Sequence, residues 1–493
     1  MRGLRTFVCA LAVVPVIASA AVSKPAVEAV PGKPALLLSG FDLAAFGLST
    51  NEFFVSGTAT SYKLQGKPPA DGHWQVSTAD TAPYVTRFVV VRPTDPNKFN
   101  GTVVVEWLNV SAGADASPDW NAAHRLLMRD GYAYVGVSAQ KVGIEGGSSL
   151  GSMGVPLKKV DATRYARLTH PGDAYSYDIF SQVGKVLGSE PAVLGGLKPK
   201  HFLAVGESQS AIYLTTYVNA VDPLAKVFDG FLIHSRFGPP SRLDGASIIN
   251  LKPEERLPPT RLRNDLRVPV VTVITETDLV GANLAGFYAA RQPDNQRLRI
   301  WEVPGTSHAD NYTFGGGFVD SGKAPLDKLA ATYRPMTNVA GSQLAKPANF
   351  GPQHHYVVEA ALWSLNQWVT TGRAPPKAAR IKTRNGQNEQ QPTLVLDSNG
   401  EAEGGIRTPW VDVPTARLSG VGNSGGTLAF LAGVGEPFDQ ATLERLYPDG
   451  KREYLRKFED SLSSAIKSGF ILPADKWEIL ELAASTYPDS QGQ

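Results

Sequence analysis

"HFLAVGESQSAIYLTTY" (His201–Tyr217) runs from an apolar stretch into a polar knot and out again into helix-friendly residues. Ser208 stands at the centre of the knot, with Gly206 two positions before it and Ser210 two positions after it. A serine hydroxyl is a poor nucleophile unless a base takes its proton, and it must project clear of the chain that carries it. A sharp strand-to-helix turn gives that projection, and small residues on either side of the serine let strand and helix approach. Gly206 meets this need fully. Ser210 meets it in part, because it adds a Cβ and a hydroxyl. On its own the stretch reads as well as a helix N-cap serine following a strand.

Partners for the serine appear further along. The apolar run "PVVTVITETD" (Pro269–Asp278) ends in Glu276 and Asp278, and "RLRIWEVPG" (Arg297–Gly305) leads into "TSHAD" with His308. Each polar residue follows an apolar run of strand character, the end at which open α/β sheets place their sites. In this arrangement His308 takes the proton of Ser208, while a carboxylate fixes the histidine tautomer and stabilises the imidazolium. Asp278 lies further into its loop and has the better reach. Glu276, nearer the strand, is the alternative acid. His308 is one of eight histidines; His201, His234 and the His354–His355 pair read as ordinary strand-end or helix-start residues. An oxyanion site needs backbone donors, one from Gln209 after the nucleophile and one from an earlier loop. That loop is "LNVSAGADASPDW" (Leu108–Trp120), with Asn109 and Val110 as donor candidates. Asp115 and Asp119 in it read as loop or helix-cap residues.

The runs 101–110, 132–140, 201–208, 228–235, 269–278 and 297–305 are short and largely apolar, as in strands buried on both faces of a parallel sheet. Helical patterns fall at 119–131, 174–188, 210–221 and 356–372. Region 52–93 alternates apolar and polar residues, the period of half-buried antiparallel strands. The expectation is an α/β fold: a mostly parallel central sheet with flanking helices, N-terminal antiparallel strands and a C-terminal helical extension. The irregular stretches 236–268 and 312–352 are expected to form lids or pocket walls. Residues 1–20 read as a signal peptide, 21–39 as a linker, 40–418 as the α/β domain, and 419–493 as a helical extension packed on it.

The signal reading rests on Arg2 and Arg5, an apolar run from Phe7 to Ile17, and Ala18-Ser19-Ala20 as a cleavage site. That run is too short for a bilayer-spanning helix, so the expectation is a periplasmic or secreted protein. The single cysteine, Cys9, lies within the run, so the processed chain would carry no disulfide, thiol nucleophile or cysteine metal site. Lys+Arg of 48 against Asp+Glu of 46 is close to neutral, and nothing suggests a nucleic-acid partner. No ligand cluster such as H-E-x-x-H calls for a metal, and no cofactor is expected.

With "GESQSA", "TETD" and "PGTSHAD" in this order, the chain resembles the α/β-hydrolase superfamily, whose triad runs serine, acid, histidine. More narrowly, "VVVEWLNVSAGADASPDW", "HPGDAYSYDIFSQ" and "VPGTSHAD" are similar to a group of exported bacterial α/β-hydrolase-domain proteins. The resemblance covers roughly Gly40 to Leu418. It implies Ser208 as nucleophile, His308 as base and an acid within Glu276–Asp278. The expectation drawn from residues and resemblance together is a serine hydrolase of carboxylesterase type acting on a small-molecule or oligomeric ester. A polyester or lactone hydrolase, a peptidase, and an inactive binding protein of the same fold are the competing readings. Ser210 departs from the superfamily's G-x-S-x-G.

Overall fold

A computed structural model describes residues 24–147, 149–150, 154–281, 284–388 and 391–488. The signal segment 1–20 and the first residues of the expected linker lie outside them. The strands in chain order are β1 (Ala26–Val30), β2 (Leu48–Leu64), β3 (Val76–Pro93), β4 (Thr102–Trp107), β5 (Ala133–Val137), β6 (His201–Glu207), β7 (Gly230–His234), β8 (Val270–Thr275) and β9 (Leu298–Val303). They form one nine-stranded sheet ordered β1-β2-β3-β5-β4-β6-β7-β8-β9. The first three strands and the β3–β5 pair are antiparallel, and everything from β5 through β9 is parallel. The α/β-hydrolase fold has this mostly parallel sheet with helices on both faces.

The largely apolar strands follow from coverage on both sides, with successive side chains entering opposite cores. Val103 and Val105 of β4 join one core while Val104 joins the other, and β6 splits Ala204 from Leu203 and Val205 in the same way. One core is packed by the helices α2 (Ser176–Ser189) and α3 (Gln209–Thr216), where the rings of Trp107, Tyr177, Phe180 and Tyr213 meet. The other is packed by α1 (Pro118–Arg129) and α4 (Gln353–Thr371), including Trp120, Ala361, Leu365 and Trp368. A third core joins the C-terminal helices α5 (Lys451–Lys467) and α6 (Lys476–Thr486) to Tyr312, Tyr333 and Tyr356. None of the helices among the described residues is long and apolar enough to cross a membrane.

Two expected boundaries differ from the structure. Within the 21–39 linker, Ala26–Val30 pairs with β2 as an edge strand, and Leu36 and Leu38 are buried. The division at 418 cuts through a hairpin, since Ala416–Ser419 pairs with Val434–Pro437. Short pairing segments bordered by proline and glycine carry too little periodicity to stand out in the chain.

Beneath the loop after β4 lies a buried charge network. Arg87 of β3 reaches Glu52 at 2.9 Å and Asp115 at 2.8 Å, with all three side chains almost wholly shielded from solvent. Asp115 is thus an anchor for the loop rather than an ordinary loop residue. Removing one partner from such a cluster leaves charges buried without compensation. Arg87→Ala is expected to lower unfolding free energy by about 3–5 kcal/mol, read from urea denaturation; a loss under about 1 kcal/mol, the scale of an exposed pair, would contradict this role.

Candidate active site

Ser208 occupies the junction between β6 and α3 with φ 57° and ψ −119°, a left-handed backbone that L-residues rarely adopt. Its N–H donates to the carbonyl of His234 at 3.0 Å, which ties the turn to the neighbouring strand end. Gly206 is required by close approach: a Cβ there would lie 3.1 Å from Cβ of Ser210 and 2.9 Å from Leu214. The missing side chain at 206 makes room for the extra one at 210. Ser210 is fully buried.

His308 Nε2 lies 2.8 Å from Ser208 Oγ, and its Nδ1 lies 2.6 Å from Asp278 Oδ1. The other carboxylate oxygen of Asp278 accepts from the N–H of Thr275 at 2.9 Å and its hydroxyl at 2.7 Å. Burial alone would raise the Asp278 pKa, but the His308 charge and these hydrogen bonds hold it below the ordinary value. The His308 ring is stacked on Phe237, with centroids 5.2 Å apart, and the His308 backbone N–H donates to Thr277 Oγ1 at 3.1 Å.

Glu276 is not part of this line. Its carboxylate accepts from the N–H groups of Gly305 at 2.7 Å and Gly420 at 2.8 Å, and from Ser419 Oγ at 3.0 Å. It fastens the loop carrying His308 to the 419–420 segment. The alternative acid is therefore a clamp, because at the start of the short helix Glu276–Val280 only Asp278 turns toward His308.

The oxyanion candidates differ in availability. The backbone N–H of Asn109 donates to Ala116 O at 2.9 Å, and its side-chain amide donates to Glu207 O at 3.1 Å. Asn109 shapes the loop and has no free backbone donor. The N–H of Val110 makes only a long 3.3 Å bond to the Gln209 side-chain oxygen. Gln209 opens α3, so its own N–H is among the donors that a helix start leaves without an intrahelical acceptor.

Ser208, Gln209, His308 and Asn109 line a cavity of about 400 Å³. Phe237, Ile248 and Ile249 from 236–268, Phe314 from 312–352, and Leu428 and Phe430 from the C-terminal part line it. Both irregular stretches thus serve as pocket walls, as does chain beyond residue 418.

Sequence reasoning passed over a second set of residues beside the serine. Glu207 Oε1 lies 3.3 Å from His308 Nε2, and the Glu207 side chain is buried. His234 Nδ1 is 2.9 Å from Asp119 Oδ1, and its Nε2 is 2.8 Å from His354 Nε2. Asp119 is therefore a buried histidine partner, although it also lies in the first turn of α1. Burial, followed by repulsion from Asp119, Asp278 and Glu106, pushes the Glu207 carboxyl well above its ordinary range. Burial and the neighbouring His354 push His234 well below its own. Position beside Ser208 was the one available signal for Glu207. Among the described residues, no cluster of three or more His, Cys, Asp or Glu is disposed to hold a metal ion.

A sequence profile described as an alpha/beta hydrolase domain matches residues 13–481. The chain belongs to the alpha/beta hydrolase domain family. No curated protein matches it significantly. Among solved structures, this alpha/beta hydrolase domain is similar to a Klebsiella pneumoniae protein named as a dienelactone hydrolase, with 12% identity over 57% of this chain and 95% of that one, at a TM-score of 0.28. An esterase of Pyrococcus furiosus matches at 12% identity over 55% of this chain and 86% of its own, also at 0.28.

The Glu207 carboxyl has a measurable consequence. Because its folded-state pKa is raised, the stability it contributes is complete below the ordinary carboxylate range and is lost as pH rises through the folded value. Glu207→Gln removes this dependence. The stability of the variant relative to wild type is expected to increase with pH above the ordinary range, by about 1.4 kcal/mol per pH unit until the folded value is passed. Chemical denaturation across a pH series measures it, and a difference that shrinks with rising pH would contradict the assignment.

Proposed function

We propose that this protein is an exported serine ester hydrolase that works through an acyl-enzyme on Ser208. The observation that carries the reading is the continuous line Asp278–His308–Ser208, with the serine on a positive-φ strand-to-helix turn. In the resting state Ser208 O–H donates to His308 Nε2, and His308 Nδ1–H donates to Asp278. Ser208 Oγ attacks the ester carbonyl as its proton passes to His308, and the ionised Asp278 stabilises the resulting imidazolium. The oxyanion is received by the N–H of Gln209 and by that of Val110, whose long bond to a neutral amide oxygen yields to a charged acceptor. His308 then protonates the departing alcohol. Water attacks the acyl-enzyme with His308 as base, which releases the acid and restores Ser208.

The apolar lining supports an ester with a bulky hydrocarbon or aromatic group, since burying such a group there gains about 25 cal/mol per Å². No step requires a metal or an organic cofactor. The reading includes export through residues 1–20, with the mature chain beginning at Ala21.

Turnover of a short-chain aryl ester tests the assignment of roles. Ser208→Ala is expected to abolish it, and Asp278→Asn to reduce kcat by about 10⁴-fold, the cost of the wrong histidine tautomer. Glu276→Gln should instead lower Tm and leave kcat within about tenfold of wild type, because it acts on loop packing rather than on charge in the transition state. A larger kcat loss in Glu276→Gln than in Asp278→Asn would overturn the triad as drawn.

A further inference from the structure

His308 has two unlike neighbourhoods. On one side is the apolar substrate cavity. On the other is a small polar cavity of about 20 Å³, room for a single water molecule. Glu207, His234, Asp310, His354 and His355 contribute to its walls, and Ala122 of α1 lies against it. The two cavities share Pro118, Glu207, His308 and Thr313 as a common partition.

A further observation points to water as the occupant. His355, which lines the polar cavity, has its Nδ1 buried without a hydrogen-bond partner among the described residues. Buried polar atoms in that situation are ordinarily satisfied by ordered water. The His234–His354 contact, anchored on Asp119, also holds two imidazole rings in fixed orientation at the cavity wall.

The chemistry supplies a use for such a water. Once an apolar acyl group is attached to Ser208, the substrate cavity, apolar over most of its lining, does little to hold a water in place on that side. Deacylation still needs one water beside His308 Nε2. We propose that the polar cavity behind His308 supplies the water that hydrolyses the acyl-enzyme, an inference that rests on the ester-hydrolase reading. Glu207, 3.3 Å from Nε2 and part of both cavities, holds this water at the partition. The water oxygen bonds to the acyl carbon as one of its protons moves to His308 Nε2. The C–Oγ bond then breaks, the proton passes from Nε2 to Ser208 Oγ, and the carboxylic acid leaves. Glu207 is a positioning residue in this scheme.

Ala122→Leu places a larger side chain in the polar cavity without touching the triad, and Glu207→Gln alters the anchor at unchanged size. Each is assayed in fixed methanol with an aryl ester of an apolar acid, and the ratio of methyl ester to free acid is measured. Methanol enters by the substrate cavity and competes with the stored water. This ratio reports only on folded, acylated enzyme, so partial misfolding leaves it unaffected. It is expected to rise by about 10²-fold, the cost of misplacing a reactant by an ångström. The rate of Ser208 modification by a fluorophosphonate, which needs no water, should stay unchanged in Ala122→Leu. An unchanged product ratio in both variants would overturn the water site while the ester-hydrolase reading stands. Absence of both ester turnover and fluorophosphonate modification in the wild type would overturn that reading, and the water site with it.

Discussion

Holding a serine at φ 57° costs on the order of 1–3 kcal/mol, and the surroundings of Ser208 are arranged to sustain that backbone. Its N–H is bonded to the end of β7, its strand is paired on both sides, and its helix is packed over Trp107 through Tyr213. The absence of a side chain at Gly206 is what lets Ser210 lie against the strand. Because the turn is fixed this firmly, Oγ is presented at one place. The other groups need only converge on it: His308 from the loop after β9 and Asp278 from the end of β8. Thr277 and Thr275 hold these two by hydrogen bonds, and Phe237 covers the ring face.

Much of this could be seen in the chain. The parallel strands announced themselves because both faces are buried, which removes alternation and leaves unbroken apolar runs such as Val103–Val105 and Leu203–Val205. Ser208, Asp278 and His308 stood out because each follows such a run. The residues that escaped notice were those whose meaning depends on distant partners. Asp119 meets His234 across 115 positions, and His234 meets His354 across 120, so no local pattern marks either contact. Glu276 was visible as an acid in the right place, but its three donors come from Gly305, Ser419 and Gly420, which no spacing rule brings together. For the same reason the pocket wall contributed by Leu428, Phe430 and Leu431 was hidden in a segment expected to be a helical extension.

In the proposed mechanism, the distribution of charge around His308 lets one histidine serve two half-reactions. Asp278 is ionised and fixed on Nδ1. Glu207, near Nε2, is held toward its neutral form by burial and by the surrounding carboxylates. An ionised Glu207 would compete with Ser208 for the imidazolium and hold it there, whereas a neutral carboxyl leaves Nε2 available as a base. On the proposed reading, the apolar wall on one side receives the ester, and the polar wall on the other side keeps water within reach.

The most direct test of the central claim is to treat the protein with a fluorophosphonate and locate the adduct by peptide mass spectrometry. The account predicts a single phosphonylated residue, Ser208, with labelling lost in Ser208→Ala and sharply slowed in His308→Ala. A folded protein that remains unlabelled, or one labelled at a different serine, would contradict it.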